Sequence, residues 1–158
     1  MKRIFIAVLI ICVLPLTALA DPVDTAVIFY NSYARNFNIS SLPGKCSERI
    51  NKDGKTEKEY TTSENVKITY TTDGKSITDV VVVAETGNEM NFLAVCSIVA
   101  FSVMESSFEI SVIGDMFYQI MGTPVKEIEV HYSSAGGYAY QVYKPNEDII
   151  SMIFVKAR

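Results

Sequence analysis

The sequence predicts an α+β fold: a mainly antiparallel sheet with about three helices packed on one face, in the order helix, strands, two helices, strands. Three patterns carry this expectation. A stripe of apolar residues at helical spacing follows residue 20, and two Asp-Gly pairs punctuate alternating runs between residues 46 and 85. A long apolar stretch with two capping signals then separates those runs from three further strand-like segments.

The first helix is expected over residues 21–37. Val23, Ala26, Val27, Tyr30, Tyr33, Ala34 and Phe37 follow the i, i+3, i+4, i+7 spacing of one buried stripe. Asp21 can cap it, and Pro22 suits the first turn, where no amide hydrogen is needed. Asn36, Asn38 and the segment 40–44 end it in a loop.

Residues 46–85 read as strands. Asp53-Gly54 and Asp73-Gly74 supply the positive φ of tight hairpins. The first hairpin is highly charged and suits an edge. The second joins Val66–Tyr70, which alternates, to Ile77–Val83, whose valine run is expected to be covered on both faces.

Residues 87–121 read as two helices. Thr86 with Glu89, and Ser106 with Glu109, form two capping boxes, so a break falls near Glu105-Ser106. The run Phe92–Met104 is apolar nearly all round and should be deeply buried, yet it is far short of the roughly 20 residues a bilayer needs. The second helix aligns Ile110, Ile113, Phe117, Ile120 and Met121, with Gly122 and Pro124 as its stop.

Residues 126–156 read as three strands. Ile128, Val130 and Tyr132 alternate with Glu127, Glu129 and His131. A Gly-containing turn at 133–137 leads to a strand with Tyr138, Tyr140 and Val142 on one face, and Ile149–Val155 is apolar on both. The order suggests two similar halves, each opening with helix and closing with a meander, although no internal sequence repeat accompanies it.

Residues 1–20 read as a cleavable secretory signal peptide. Lys2 and Arg3 are the positive start, Ile4–Leu16 the apolar core, and Ala18-Leu19-Ala20 the small-residue cleavage site. Residues 21–158 then form a single domain. The short basic start and the Ala-Leu-Ala box suit a bacterial host, and therefore a periplasmic address.

Without the leader, 12 basic residues face 18 acidic ones, a net charge of −6. An acidic chain with no basic tract is a poor fit to nucleic acid or to anionic lipid surfaces. Residues 45–75 carry seven Lys/Arg and six Asp/Glu. From Ser76 to Val125 there is no Lys or Arg at all, while Asp79, Glu85, Glu89, Glu105, Glu109 and Asp115 fall there. Such a run either keeps a face soluble or meets a basic partner.

Cys12 leaves with the leader. Cys46 and Cys96 remain, and an even pair in an exported chain is expected to form one disulfide. By loop entropy the bond would contribute about 3–4 kcal/mol. Left unpaired, Cys96 would be an inert thiol in an apolar helix.

Catalytic patterns are scarce. Glu127, Glu129 and His131 share one strand face at period two, but neighbours two apart are about 7 Å from each other, a poor bite for one ion. No metal or cofactor is therefore expected. No nucleophile elbow, phosphate loop or dinucleotide fingerprint occurs, and no catalytic residue is assigned. The aromatic inventory is nine Tyr, eight Phe and no Trp. Tyr132, Tyr138, Tyr140 and Tyr143 cluster in one hairpin beside Glu127, Glu129 and His131, and together these seven form the candidate binding surface.

The expectation is thus an exported, non-enzymatic binding module that recognises another protein, of inhibitor, immunity or envelope-accessory type. A carrier of an apolar small molecule or lipid is the alternative, and a hydrolase whose carboxylates meet only in space is the second.

Overall fold

The computed structural model describes residues 21–104, 110–122, 128–132 and 138–156. Helix α1 (Pro22–Ala34) continues into a short 3-10 turn (Arg35–Phe37). A four-strand meander follows: β1 (Ser47–Ile50), β2 (Thr56–Thr61), β3 (Lys67–Thr72) and β4 (Ile77–Glu85). Helices α2 (Glu89–Met104) and α3 (Ile110–Gly122) precede β5 (Ile128–Tyr132), β6 (Tyr138–Asn146) and β7 (Ile149–Lys156). The expected α+β order is the order found.

All seven strands join one antiparallel sheet in the order β1-β2-β3-β4-β7-β6-β5. The two meanders meet where β4 pairs with β7, Val80 opposite Phe154 and Val82 opposite Met152. Each half of the chain thus opens with helix and closes with a meander, the arrangement the element order suggested.

Asp21 caps α1 by accepting the Val23 N–H at 2.8 Å, and Asn38, at φ 53°, ends the 3-10 turn in the left-handed region that Asn tolerates. One face of α1 buries Val23, Ala26, Tyr30 and Ala34. Helix α2 lies between α1 and α3 and packs on β4. Phe92, Val95, Cys96, Ile98, Val99 and Ala100 on it are fully buried, which explains why it is apolar almost all round. From the sheet, Ile68, Tyr70, Val80, Val82, Ile150, Met152 and Phe154 complete the core.

Two expectations change. Thr86 does not close a capping box: its hydroxyl donates to the Glu147 carbonyl at 2.7 Å, tying the start of α2 to the β6–β7 turn. Glu89 instead accepts the Gly87 N–H at 2.8 Å. The valine run of β4 is covered on one face, not two. Val80 and Val82 are sealed beneath the helices, while Val81 and Val83 alternate to the other face and stay half-buried, opposite Ile153 and Ser151 of β7. Side chains alternate along a strand, so a helix layer on one side seals only every second residue.

Candidate partner-binding surface

Most of the exposed large apolar side chains lie on the outer surface of the helix layer; Ile50 on β1 and Val155 on β7 are the exposed ones on the sheet among the described residues. Helix α1 buries one stripe but leaves Ile28 70%, Phe29 50% and Tyr33 37% exposed. The exposed positions beside them are the uncharged Thr25, Ser32 and Asn36, with Asp24 and Arg35 at the two ends. Tyr33 stacks on Phe101 of α2 with ring centroids 5.4 Å apart, and Phe37 lies 6.3 Å from the same ring. An aromatic ridge therefore runs from α1 onto α2.

Helix α3 repeats the pattern. Met116 and Ile120 point inward, whereas Tyr118 is 74% and Met121 59% exposed, with Phe117 edge-on to Tyr118 at 6.0 Å. The expected buried stripe included Phe117 and Met121; the helix is rotated so that Met116 takes the inner position. Helix α3 is apolar over too wide an arc for spacing alone to fix its phase. An isolated exposed apolar residue is ordinary, but several grouped on the outer face of α1, and several more on α3 across α2, are of the kind found at interaction sites.

The hairpin expected to form the binding surface is split by its own register. Tyr140 is 3% exposed and packs 6.4 Å from Phe154, so it belongs to the core and not to a surface. Burial, and after it the Asp115 carboxylate, push its phenol up to about 12, so it stays protonated. Tyr143 is half-buried opposite Ser151. In the ladder Glu129 stands opposite Val142, His131 opposite Tyr140 and Tyr138 opposite Lys156, the register positions of the helix-covered face, while Tyr132 stands opposite Ala139, a register position of the other face. The seven residues thus do not share one face of the sheet. Glu127 and the turn 133–137 lie outside the described residues.

The expected disulfide is also corrected: Cys46 and Cys96 are both free thiols. Each has other company. Cys46 is half-buried ahead of β1, packed against the core beside Tyr60, whose phenol is pushed up by burial and by the neighbouring thiol. Cys96 lies on the inner stripe of α2, where burial pushes its thiol well above the ordinary range, so it is an inert core residue.

Among the described residues, two open clefts flank the sheet. One, of about 460 Å³, is lined by Lys55, Asp73, Ser76, Thr78, Asp79 and Lys156, with Val155 beside them. The other, of about 420 Å³, is lined by Glu85, Thr86, Asp148 and Ile149. Charged walls and wide mouths make both poor chambers for an apolar molecule. Among the described residues no helix is long and apolar enough to cross a membrane, and no three His, Cys, Asp or Glu side chains gather as a metal site.

Ile28, Phe29, Phe117, Tyr118 and Met121 are the surface residues that sequence reasoning missed. A signal for part of them exists: Ile28, Phe29 and Tyr118 are large apolar residues lying off the stripe that their helices were assigned. Comparison with family models, with curated proteins and with solved structures finds no match to this chain, so its surface chemistry alone speaks to its function.

Proposed function

We propose that this chain is an exported, non-enzymatic module that binds another protein through the outer faces of α1 and α3. The observation that carries the reading is the exposure of Ile28, Phe29 and Tyr33 on α1, together with Phe117, Tyr118 and Met121 on α3. Fully burying one such side chain is worth about 1.5–3 kcal/mol, and aromatic anchors of this kind dominate protein interfaces. The leader-like residues 1–20 support the exported address. A lipid carrier has less support, because Tyr70, Phe92, Ile98 and Met152 fill the space between helices and sheet.

Affinity capture from the envelope of the native host tests this reading. The wild-type chain, a Phe29→Ser/Tyr118→Ser variant and a Thr69→Ala control on the other face of the sheet are compared. A protein recovered in stoichiometric amount with wild type and control, and lost with the double variant, is the expected result. Recovery of lipid alone, or of a protein that all three retain, would overturn it.

A further inference from the structure

Four charged side chains line the cleft of about 460 Å³ at the β3–β4 turn end of the sheet: Lys55, Lys156, Asp73 and Asp79. None of the four makes an ion pair among the described residues, so opposite charges stand around one opening without closing on each other. Neutral groups hold three of them in place. The Lys55 N–H donates to Asn51 Oδ1 at 3.1 Å, and its carbonyl accepts the Asn51 N–H at 2.9 Å. Its Nζ donates to Thr78 Oγ1 at 3.1 Å, and that hydroxyl donates to Asp79 Oδ2 at 2.8 Å. The Asp73 carboxylate accepts the Ser76 and Lys75 N–H groups; these bonds, and after them the field of Lys55, hold it below the usual carboxylate range. Thr78 reaches between Lys55 and Asp79 because it is the extra residue of a β-bulge: Thr71 pairs with Asp79 and Thr72 with Ile77. Bulges re-aim side chains in this way. Val155, opposite Asp79 in the β4–β7 ladder and 41% exposed, adds an apolar wall.

Charge balance selects the class of ligand. A plain anion would meet Lys55 and Lys156 but be repelled by Asp73 and Asp79, and a plain cation would meet the reverse. A molecule with a carboxylate and an ammonium on a short aliphatic span satisfies both signs and the apolar wall. Lys55 has the capacity for it, since an ammonium has three donors and Thr78 takes one. We infer that this cleft binds a small zwitterion of the amino-acid or short-peptide class, its carboxylate at Lys55 and Lys156, its ammonium at Asp79 and Asp73, and its aliphatic part on Val155. The volume falls within the range of about 300–1,000 Å³ that small-molecule sites occupy. Side chains already held in place lose little freedom on binding, while the open mouth keeps the affinity modest, with Kd of about 1 mM.

The full chain, produced with its own leader and recovered after expression, is isotope-labelled and titrated by NMR. The probes are leucine, dileucine, isocaproate, which is leucine without its ammonium, and isopentylamine, which is leucine without its carboxylate. The backbone amides of Lys55, Ser76, Asp79 and Lys156 report binding at the cleft. Leucine or dileucine is expected to saturate their shifts with Kd of about 1 mM, and the two truncated probes to bind about tenfold or more weakly. The tighter of the first two distinguishes a free amino acid from a peptide as the ligand. Lys55→Met and Asp79→Asn are each expected to weaken that ligand about tenfold, and Thr78→Val, which keeps every charge but frees Lys55, about threefold. Lys75→Met, on the same turn but outside the lining of the cleft, is expected to leave it unchanged. Isocaproate or isopentylamine binding as tightly as the zwitterion would overturn the inference. So would the absence of saturable shifts up to about 50 mM, or binding untouched by Lys55→Met and Asp79→Asn. No helix residue lines the cleft, so each of these outcomes leaves the docking reading where it stands.

Discussion

Lys58 ties β2 to the start of α1. Its Nζ lies 2.8 Å from Asp21 Oδ2 and 3.2 Å from Asp24 Oδ1, with its side chain 12% exposed. Burial alone would raise the Asp21 carboxyl, but Lys58 and the Val23 N–H outweigh it and hold the group below the usual carboxylate range. A lowered folded value means that the stabilisation is present above the unfolded value near 4 and fades as pH falls through the folded one. Lys58→Met is therefore expected to cost about 1 kcal/mol at pH 7, with the gap from wild type closing in acid, below the ordinary carboxylate range. Urea unfolding at neutral pH and in acid measures it; a gap that persists in acid would contradict the account. Tyr30 argues the opposite sign. Its hydroxyl is fully buried and has no hydrogen-bond partner among the described residues. Tyr30→Phe should then be neutral or stabilise by up to about 1 kcal/mol, because it removes a buried unpaired group. A loss of more than about 1 kcal/mol on thermal unfolding would reveal a partner for that hydroxyl.

At the scale of elements, the turns are as important as the strands. Gly74 sits at φ 84° between β3 and β4, and the Asp73 carboxylate accepts the N–H groups of Lys75 and Ser76 at 2.9 and 2.8 Å. Gly74→Ala places a Cβ in the left-handed region and is expected to destabilise by about 1 kcal/mol, read as a shift in the urea midpoint. These turns were legible because Asp-Gly has a local mechanism. So was α1, whose cap, first-turn proline and stripe all agree. So was the presence of two helices, α2 and α3, after β4; the expected break near Glu105-Ser106 and the Ser106–Glu109 capping box lie outside the described residues. What was not legible depends on tertiary placement. The one-sided covering of Val80–Val83, the redirection of Thr86 to Glu147, the rotation of α3 and the burial of Tyr140 are all set by which elements pack together, which no local pattern records. The candidate site moved for that reason. Tyrosine is equally at home in a sheet core and on a surface, and the β6–β7 register, which sets Tyr140 opposite the core residue Phe154, puts it beneath the helices.

For the molecule as a whole, stability comes from the layer between helices and sheet and not from a cross-link. With Cys46 and Cys96 free, both thiols of residues 21–158 are expected to react with a thiol reagent after denaturation without reductant. Adding reductant should leave the unfolding midpoint unchanged, whereas a bond closing this loop would contribute about 3–4 kcal/mol and its reduction would lower the midpoint by many degrees. The two outer surfaces of the molecule differ in kind. The helix layer offers exposed aromatic and thioether side chains. The β1–β3 half of the opposite sheet face is polar and internally paired, with Arg49 2.6 Å from Glu57 and Lys67 3.3 Å from Glu59.

The most direct measurement places a photo-cross-linking amino acid, one position at a time, at Phe29 and Tyr118 on the helices and at Thr69 and Val81 on the far face, in cells of the native host. A common protein adduct from positions 29 and 118 and none from 69 and 81 is the expected result. Adducts confined to 69 and 81, or their absence from all four positions, would contradict the assignment of the helix layer as the docking surface.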